Sequence, residues 1–163
     1  GTVGHAPREL REIMASVVSN FTTEKNISSH VGTAESWKGV MCDSNFSLCP
    51  RGYGRTSYRL AESIQLGRTP IFVFSDVLWV PYPHLYDRFG YATNVSNFQA
   101  VLNEVLQIGD AEIANRERFL ASISESHFSY KGVMEQISLF LLSGHAKSDL
   151  RCQPLPVSKR DER

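Results

Sequence analysis

The chain has 163 residues, 17 Lys and Arg balanced by 17 Asp and Glu, and a hydrophobic content of 42%. This length and composition suit one globular domain and exclude a disordered chain, a collagen-like repeat and a coiled coil. Zero formal net charge argues against binding of nucleic acid by bulk electrostatics. Apolar runs all fall short of the roughly 18 residues of a membrane-spanning helix, so we expect no membrane contact by this segment.

The first part of the chain is predicted to form short helices and strands in alternation. Apolar residues at helical spacing from Leu10 to Val18 predict a helix that ends in the polar stretch 20–26. Three further elements are predicted: a strand at 27–31, a helix at 35–41 and a buried strand at 46–49. The chain opens on a glycine-containing loop directly before a helix, which is typical of the loop after a strand. We therefore expect the sequence to begin inside a larger protein.

The central part of the chain predicts a βαβ unit. The loop 50–56 contains two glycines, and Ser57 can cap the helix that follows. Gly67 suits the C-terminal end of that helix. The run 70–74 is apolar, β-branched or aromatic nearly throughout, which is typical of a strand covered on both faces in a parallel sheet.

The second half of the chain is mainly helical by its apolar spacing. An irregular apolar segment at 77–82 contains prolines that limit strand pairing. The remaining predicted elements are a strand at 91–95 and helices at 98–108, 111–126 and 130–142. The pattern predicts an α/β fold with a Rossmann-like parallel sheet and flanking helices over residues 1–143. Residues 144–163 are predicted to be a polar, disordered tail.

Several familiar catalytic motifs are missing from the sequence. It has no HExxH, no CxxC pair, no GxSxG, no phosphate-binding loop that ends in Gly-Lys-Ser/Thr and no three-glycine dinucleotide fingerprint. Its five histidines are far apart, and no Asp-x-Asp occurs. We therefore predict no metal site and no serine hydrolase.

Arginines are concentrated on the loop and helix between residues 50 and 69. Against a single acid, Glu62, this stretch contains Arg51, Arg55, Arg59 and Arg68. The N–H groups and dipole of a helix N-terminus favour an anion, and guanidinium groups match phosphate oxygens. These residues predict a phosphate or diphosphate site with Arg59 as the deepest contact. The spacing fits equally well a solvated helix start at which Arg59 pairs with Glu62.

Three more residues extend this candidate site. Glu62 lies about one turn beyond Arg59, where it accepts hydrogen bonds from ribose hydroxyls or simply neutralises the arginine. Ser75 and Asp76 follow the apolar strand, and ligands of parallel sheets bind at the carboxyl ends of strands. The alternative for this pair is a capped strand end.

Three segments carry a recognisable pattern: FSLCPRG at 46–52, TSYRLAES at 56–63 and GRTPIFVFSD at 67–76. Together they resemble the C-terminal half of exostosin-type glycosyltransferases. The pattern of that family runs F-C-L-C-P-x-G, S-x-R-L-x-E-A and G-x-I-P-V, and then a Leu-Pro pair to which Val80-Pro81 is similar. The resemblance extends more weakly over residues 1–143.

This resemblance implies a GT-B fold of two Rossmann-like lobes, of which this chain is the C-terminal one that binds most of the nucleotide sugar. It implies inverting, metal-independent transfer of a sugar from a UDP-sugar to a glycan acceptor, without a cofactor. Arg59 matches the arginine that neutralises the diphosphate, and Glu62 matches the glutamate that binds ribose. Ser57 would offer its hydroxyl or amide to phosphate, and Gly52 would let the loop approach closely.

The sequence departs from the family pattern at several positions. Ser47 replaces the first cysteine of C-L-C, Ser63 replaces an alanine, and Arg68-Thr69 replaces a pair similar to Cys-Ile. The general base is expected on an N-terminal lobe or a partner transferase, so this chain is expected to bind donor better than it catalyses. A different class of function is also open, namely a non-catalytic Rossmann-like binding or scaffold module.

Four asparagines, Asn20, Asn26, Asn45 and Asn94, begin glycosylation sequons. Chance would give roughly one in a chain of this composition. The sequons favour the Golgi lumen or another secretory compartment, which is the usual location of the family that the chain resembles. Asn45 adjoins a predicted buried strand, so we expect it to be unmodified.

Overall fold

A parallel three-stranded sheet organises the fold of residues 8–143 and 146–151, which the computed structural model describes. Strand β1 (Phe46–Pro50) pairs with β2 (Thr69–Phe74), and β2 pairs with β3 (Tyr91–Asn94), in the order β1-β2-β3. The predicted βαβ unit is therefore confirmed, because β1 and β2 are parallel neighbours joined through a helix.

Strand β2 is the centre of the sheet and is covered on both faces. Ile71 lies opposite Leu48 of β1 on one side and Tyr91 of β3 on the other. Ile71 and Val73 pack against one helical layer, whereas Phe72 packs against the other, and all three are fully buried. Burial on both faces explains why this strand reads as an unbroken apolar run.

Helices cover both faces of the sheet. Their bounds are α1 (Arg8–Lys25), α2 (Trp37–Cys42), α3 (Tyr58–Gln65), α4 (Pro83–Tyr86), α5 (Phe98–Leu106), α6 (Asp110–Ile123) and α7 (Tyr130–Ser143). The apolar faces of α1 and α5 pack against Ile71 and Val73, and those of α3 and α6 pack against Cys49 and Phe72. The described residues thus form an α/β fold with a parallel sheet between helices, compatible with a Rossmann-like lobe.

Of two predictions about the first connection, the helix end in the polar stretch 20–26 is confirmed and the strand at 27–31 is wrong. Helix α1 continues through the polar stretch as far as Lys25, and it ends where Asn26 adopts a left-handed conformation (φ 53°). The N–H of Ile27 then donates to the carbonyl of Thr22 at 3.1 Å, as in a Schellman end. Residues 27–31 are irregular rather than a strand, because their apolar side chains Ile27 and Val31 are exposed and have no sheet neighbour.

Part of the predicted tail is held against the domain. Ser148 is buried, and its hydroxyl donates to the carbonyl of Gln136 in α7 at 2.9 Å. The side chain of Asp149 contacts two histidines. Polar composition suggested disorder from 144 onward, but specific hydrogen bonds order residues 146–151. Residues 144–145 and 152–163 lie outside the described residues.

Candidate functional site

The loop after β1 is organised by the side chain of Arg51. Its guanidinium donates to the carbonyls of Gly52, Tyr53 and Gly54 at 3.2–3.3 Å. Its Nη1 also lies 2.5 Å from Oδ2 of Asp76, which follows β2. Arg51 and Asp76 thus pair at the carboxyl ends of two neighbouring strands, where the sequence predicted each of them to lie. The Arg51 guanidinium thus stabilises the conformation of the loop 50–56.

The same contact acts on the Asp76 carboxylate. Partial burial opposes its ionised form, but hydrogen bonds from the N–H of Val77 and from Arg51, together with the charge of Arg51, lower the pKa of Asp76 below its usual value. Ser75 is exposed beside it. The two residues thus lie at the predicted edge of the sheet, with Asp76 ionised and paired at neutral pH.

The end of the loop 50–56 leads into the N-terminus of α3. The N–H of Gly52 donates to the carbonyl of Thr56 at 2.7 Å, and a Cβ at Gly52 would lie only 3.2 Å from that oxygen. Ser57 is buried at the N-cap position in an extended conformation, but its hydroxyl makes no cap hydrogen bond. Helices begin with N–H groups that have no intrahelical partner. The first turn of α3 therefore keeps donors that Ser57 does not use.

Arg59 lies in that first turn and is fixed by three neighbours. Its Nη1 is 3.1 Å from Oε2 of Glu62 and 2.7 Å from Sδ of Met41. The guanidinium carbon lies 5.3 Å from the ring centroid of Trp37, an arrangement in which a cation is attracted to the aromatic face. The ion pair with Glu62, which the sequence spacing allowed as one of two readings, is present, and it holds the guanidinium in one orientation.

Arg59 also lines a large cleft along the β1 edge of the sheet. The cleft has a volume of about 920 Å³ and extends between α1, α2 and β1. Of the eight predicted site residues, Arg59 alone lines it. Arg51, Gly52, Arg55, Ser57, Glu62, Ser75 and Asp76 lie outside its lining. Arg51 and its partner Asp76 therefore lie apart from the cleft, whereas Arg59 lines it.

Among the described residues, four buried guanidinium nitrogens have no hydrogen-bond partner. Those of Arg68 and Arg116 belong to side chains that pair with Glu117 and Glu112, and the other two belong to side chains in or beside the elements above. These two are Nη1 of Arg55, in the loop before α3, and Nε of Arg11, in α1. Arg11 lines the cleft with Arg59, and the sequence interpretation did not include it. The signal was present, because Arg11 is spaced three and seven residues before Met14 and Val18 and so lies beside the apolar stripe of α1.

A buried polar cluster connects α3 to β1. The hydroxyls of Ser63 and Ser47 are 2.7 Å apart, and Sγ of Cys49 lies 3.4 Å from Ser63. Ser63 also donates to the carbonyl of Arg59 at 2.6 Å. Burial raises the pKa of the Cys49 thiol to about 11, although hydrogen bonds from Ser63 and Ser47 act in the opposite direction. Cys49 is thus a neutral structural thiol, and the cluster fixes the turn that carries Arg59.

A second polar cluster lies away from the cleft. The Asp149 carboxylate bridges Nε2 of His84 and Nε2 of His127, each at 3.0 Å. The hydroxyl of Ser126 lies 2.8 Å from Nδ1 of His127. Hydrogen bonds from His127 and then His84 lower the pKa of Asp149 below its usual value. This cluster could not be predicted from the sequence, because His84 and Asp149 are 65 positions apart.

Among residues 8–143 and 146–151, no group of three His, Cys, Asp or Glu side chains is placed to hold a metal ion. The helices of this same part of the chain lack the combined length and hydrophobicity of a membrane span. In comparisons with known proteins, no family model matches the chain and no curated protein is significantly similar to it in sequence.

Proposed function

We propose that this chain is the nucleotide-sugar-binding lobe of an exostosin-like glycosyltransferase with a GT-B arrangement. In this proposal it transfers a sugar from a UDP-sugar to a glycan acceptor, with inversion and without a metal. The observation that carries the proposal is the position of Arg59, whose guanidinium lies at the first turn of α3 and lines a cleft of about 920 Å³. Clefts of this size accommodate small-molecule ligands.

The start of α3 supports an anionic ligand. The Ser57 hydroxyl caps none of the first N–H groups of the helix, and the helix dipole places partial positive charge at the same end. Nη1 of Arg55, in the preceding loop, is buried and has no partner. A diphosphate at the helix start would supply acceptors for the N–H groups that Ser57 does not cap.

The proposed chemistry at Arg59 is electrostatic. When the bond between the sugar and the diphosphate breaks, negative charge accumulates on the leaving oxygens, and a fixed guanidinium stabilises that charge without having to reorganise. Trp37 and Glu62 hold Arg59 in place before the reaction. Glu62 is partly exposed, and the proposal assigns it the ribose hydroxyls. The general base belongs to an N-terminal lobe or a partner transferase.

The test is calorimetric titration of the chain with UDP, with and without EDTA. We expect Arg59→Ala to weaken UDP binding at least tenfold, because charge-assisted hydrogen bonds to phosphate are lost. Arg118→Ala is the matched control, since Arg118 is exposed on α6 and does not line the cleft. We expect EDTA to leave the affinity unchanged. Equal affinity of the wild type and Arg59→Ala would refute the assignment.

A transfer assay separates the enzyme from the alternative class. Incubation with a UDP-sugar and a glycan acceptor, in the presence of the N-terminal lobe or partner, is expected to release UDP and extend the acceptor. UDP binding that depends on Arg59, without donor hydrolysis or transfer, would assign the chain to the non-catalytic module instead.

The exposure of the sequon asparagines supports the proposed secretory location. Asn20, Asn26, Asn45 and Asn94 are all exposed, including Asn45, which directly precedes β1. Expression in a secretory cell line, followed by digestion with a glycan-removing amidase, should lower the apparent mass. An unchanged mass would count against a lumenal location.

A further inference from the structure

Arg11 is a guanidinium placed on the cleft-facing side of α1. It lines the cleft together with Met14 and Val18 from the two following turns, both of which are buried. Its Nε atom is buried and has no hydrogen-bond partner. An unpaired buried donor of this kind costs free energy in the absence of a ligand. Arg11 therefore lines the cleft, and its guanidinium has no hydrogen-bond partner at Nε among the described residues.

The positive charge near Arg11 also favours the binding of an anion. Burial, and then the positive charge of Arg59, lower the pKa of Arg11 below its usual value. Glu62 pairs with Arg59 and partly neutralises that side chain. Two carboxylates, Asp43 and Asp110, also line the cleft, but the charge that acts on Arg11 is that of Arg59. Two cations thus face one cleft, and an anion between them would relieve their repulsion.

We propose that Arg11 and Arg59 together bind the phosphate groups of one diphosphate, with Arg11 as a binding residue contributed by α1. This inference rests on the proposed nucleotide site and extends it to a second helix. A planar guanidinium donates two parallel hydrogen bonds to phosphate oxygens, so two of them from different helices can fix both the position and the orientation of a diphosphate. Trp37, beside Arg59, also lines the cleft.

The test is titration of the chain with inorganic pyrophosphate and, separately, with UDP and uridine. Arg11→Met removes the charge and retains much of the side-chain volume, Arg11→Lys retains the charge without the fork, and Arg118→Ala is the control. We expect Arg11→Met to weaken pyrophosphate and UDP binding at least tenfold, Arg11→Lys to show an intermediate loss, and Arg118→Ala to change affinity less than twofold. Uridine binding should be the same in all variants.

A denaturant titration without anion separates a binding role from a structural one. Because Arg11→Met removes a repelled charge and an unpartnered donor, we expect it to unfold at the same or a higher denaturant concentration than the wild type. Earlier unfolding, with binding lost in step, would make Arg11 a structural residue and overturn the inference. Unchanged pyrophosphate and UDP affinity in Arg11→Met would also overturn it, while an effect of Arg59→Ala would keep the proposed function.

The same titrations also distinguish the case in which the anion site exists but the nucleotide-sugar function is wrong. If pyrophosphate binds in an Arg11-dependent way but UDP binds no better than pyrophosphate and uridine does not bind, the anion site stands and the nucleotide-sugar function fails. If the wild type binds neither pyrophosphate nor UDP, both proposals are refuted.

Discussion

Ser63 in α3 and Ser47 in β1 are hydrogen-bonded to each other at 2.7 Å in the interior of the domain. The exostosin-type pattern has an alanine at the position of Ser63 and a cysteine at the position of Ser47, so the sequence departs from it at both. The structure shows that the two departures are partners. A serine in α3 is matched by a serine in the strand it packs on, so neither hydroxyl is left without a partner. The pair also adjoins the Arg59 carbonyl.

Replacing one partner of this pair should cost stability. Ser63→Ala leaves the buried Ser47 hydroxyl without this bond, and we expect a loss of about 1–2 kcal/mol in the free energy of unfolding. The double variant Ser47→Cys/Ser63→Ala has the residues of the exostosin-type pattern at both positions and should recover most of the loss, because both hydroxyls are gone. Urea unfolding measures both. Ser96→Ala, at an exposed position, is the control, and additive losses in the double variant would contradict the coupling.

Cys49 should resist thiol reagents while Cys42 reacts. Cys49 is fully buried with a pKa of about 11, whereas Cys42 is exposed. In a Cys152→Ser background, labelling of the native chain at pH 8 is expected to modify one thiol rapidly, and the second only on unfolding. Mass spectrometry of the digested chain identifies the site. Rapid labelling at Cys49 would show that the cluster around Ser63 opens readily.

The same thiol predicts an alkaline dependence of stability. The pKa of a cysteine in the unfolded chain is about 8.5, and that of Cys49 in the folded protein is about 11. The folded pKa is raised, so its stabilising contribution is complete below about pH 8.5 and is lost as pH rises toward 11. The free energy of unfolding should fall between pH 8 and 10, and Cys49→Ala should show a smaller fall over that range. Parallel curves for the two proteins would contradict this assignment.

Gly132 should not tolerate a side chain. A Cβ there would lie 2.5 Å from the carbonyl carbon of Ser126, and closer still to the carbonyl oxygen of Glu125, in the π-helical turn before α7. These are backbone atoms, which cannot rotate away. Gly132→Ala should cost about 2 kcal/mol or more in thermal or urea unfolding. Gly54→Ala, where a Cβ meets nothing within 4 Å, should be close to neutral, and equal stability of the two variants would contradict the packing.

The Asp149 contacts should hold residues 146–151 in place in a pH-dependent way. Because the folded pKa of Asp149 is lowered, its contribution is present above about pH 4 and is lost as pH falls through the folded value. Asp149→Asn should speed tryptic cleavage after Lys147 at pH 7, with a stability loss of about 1 kcal/mol or less, since the carboxylate is partly exposed. Asp43→Asn is the control, and equal cleavage rates would contradict the role of the histidine contacts.

Local sequence patterns determined the elements of this fold. The alternation of a buried apolar strand, a glycine-containing loop, a helix and a second apolar strand predicts the parallel βαβ unit that is present in β1, α3 and β2. Helix periodicity likewise predicts α5, α6 and α7, with ends displaced by a few residues. These signals are local, because the spacing of apolar side chains is set by the geometry of one element. The strand predicted at 27–31 failed because β-forming residues need a neighbouring strand.

The arrangement of the candidate site was decided by tertiary structure. The sequence identified the arginine-rich start of α3, but not that Arg51 is paired with Asp76, that Arg11 shares a cleft with Arg59, or that two histidines hold Asp149. These contacts join residues far apart in the chain, and their existence depends on how helices and strands pack. A periodic pattern records which face of an element is buried, whereas the identity of the opposing side chain is fixed only when the elements meet.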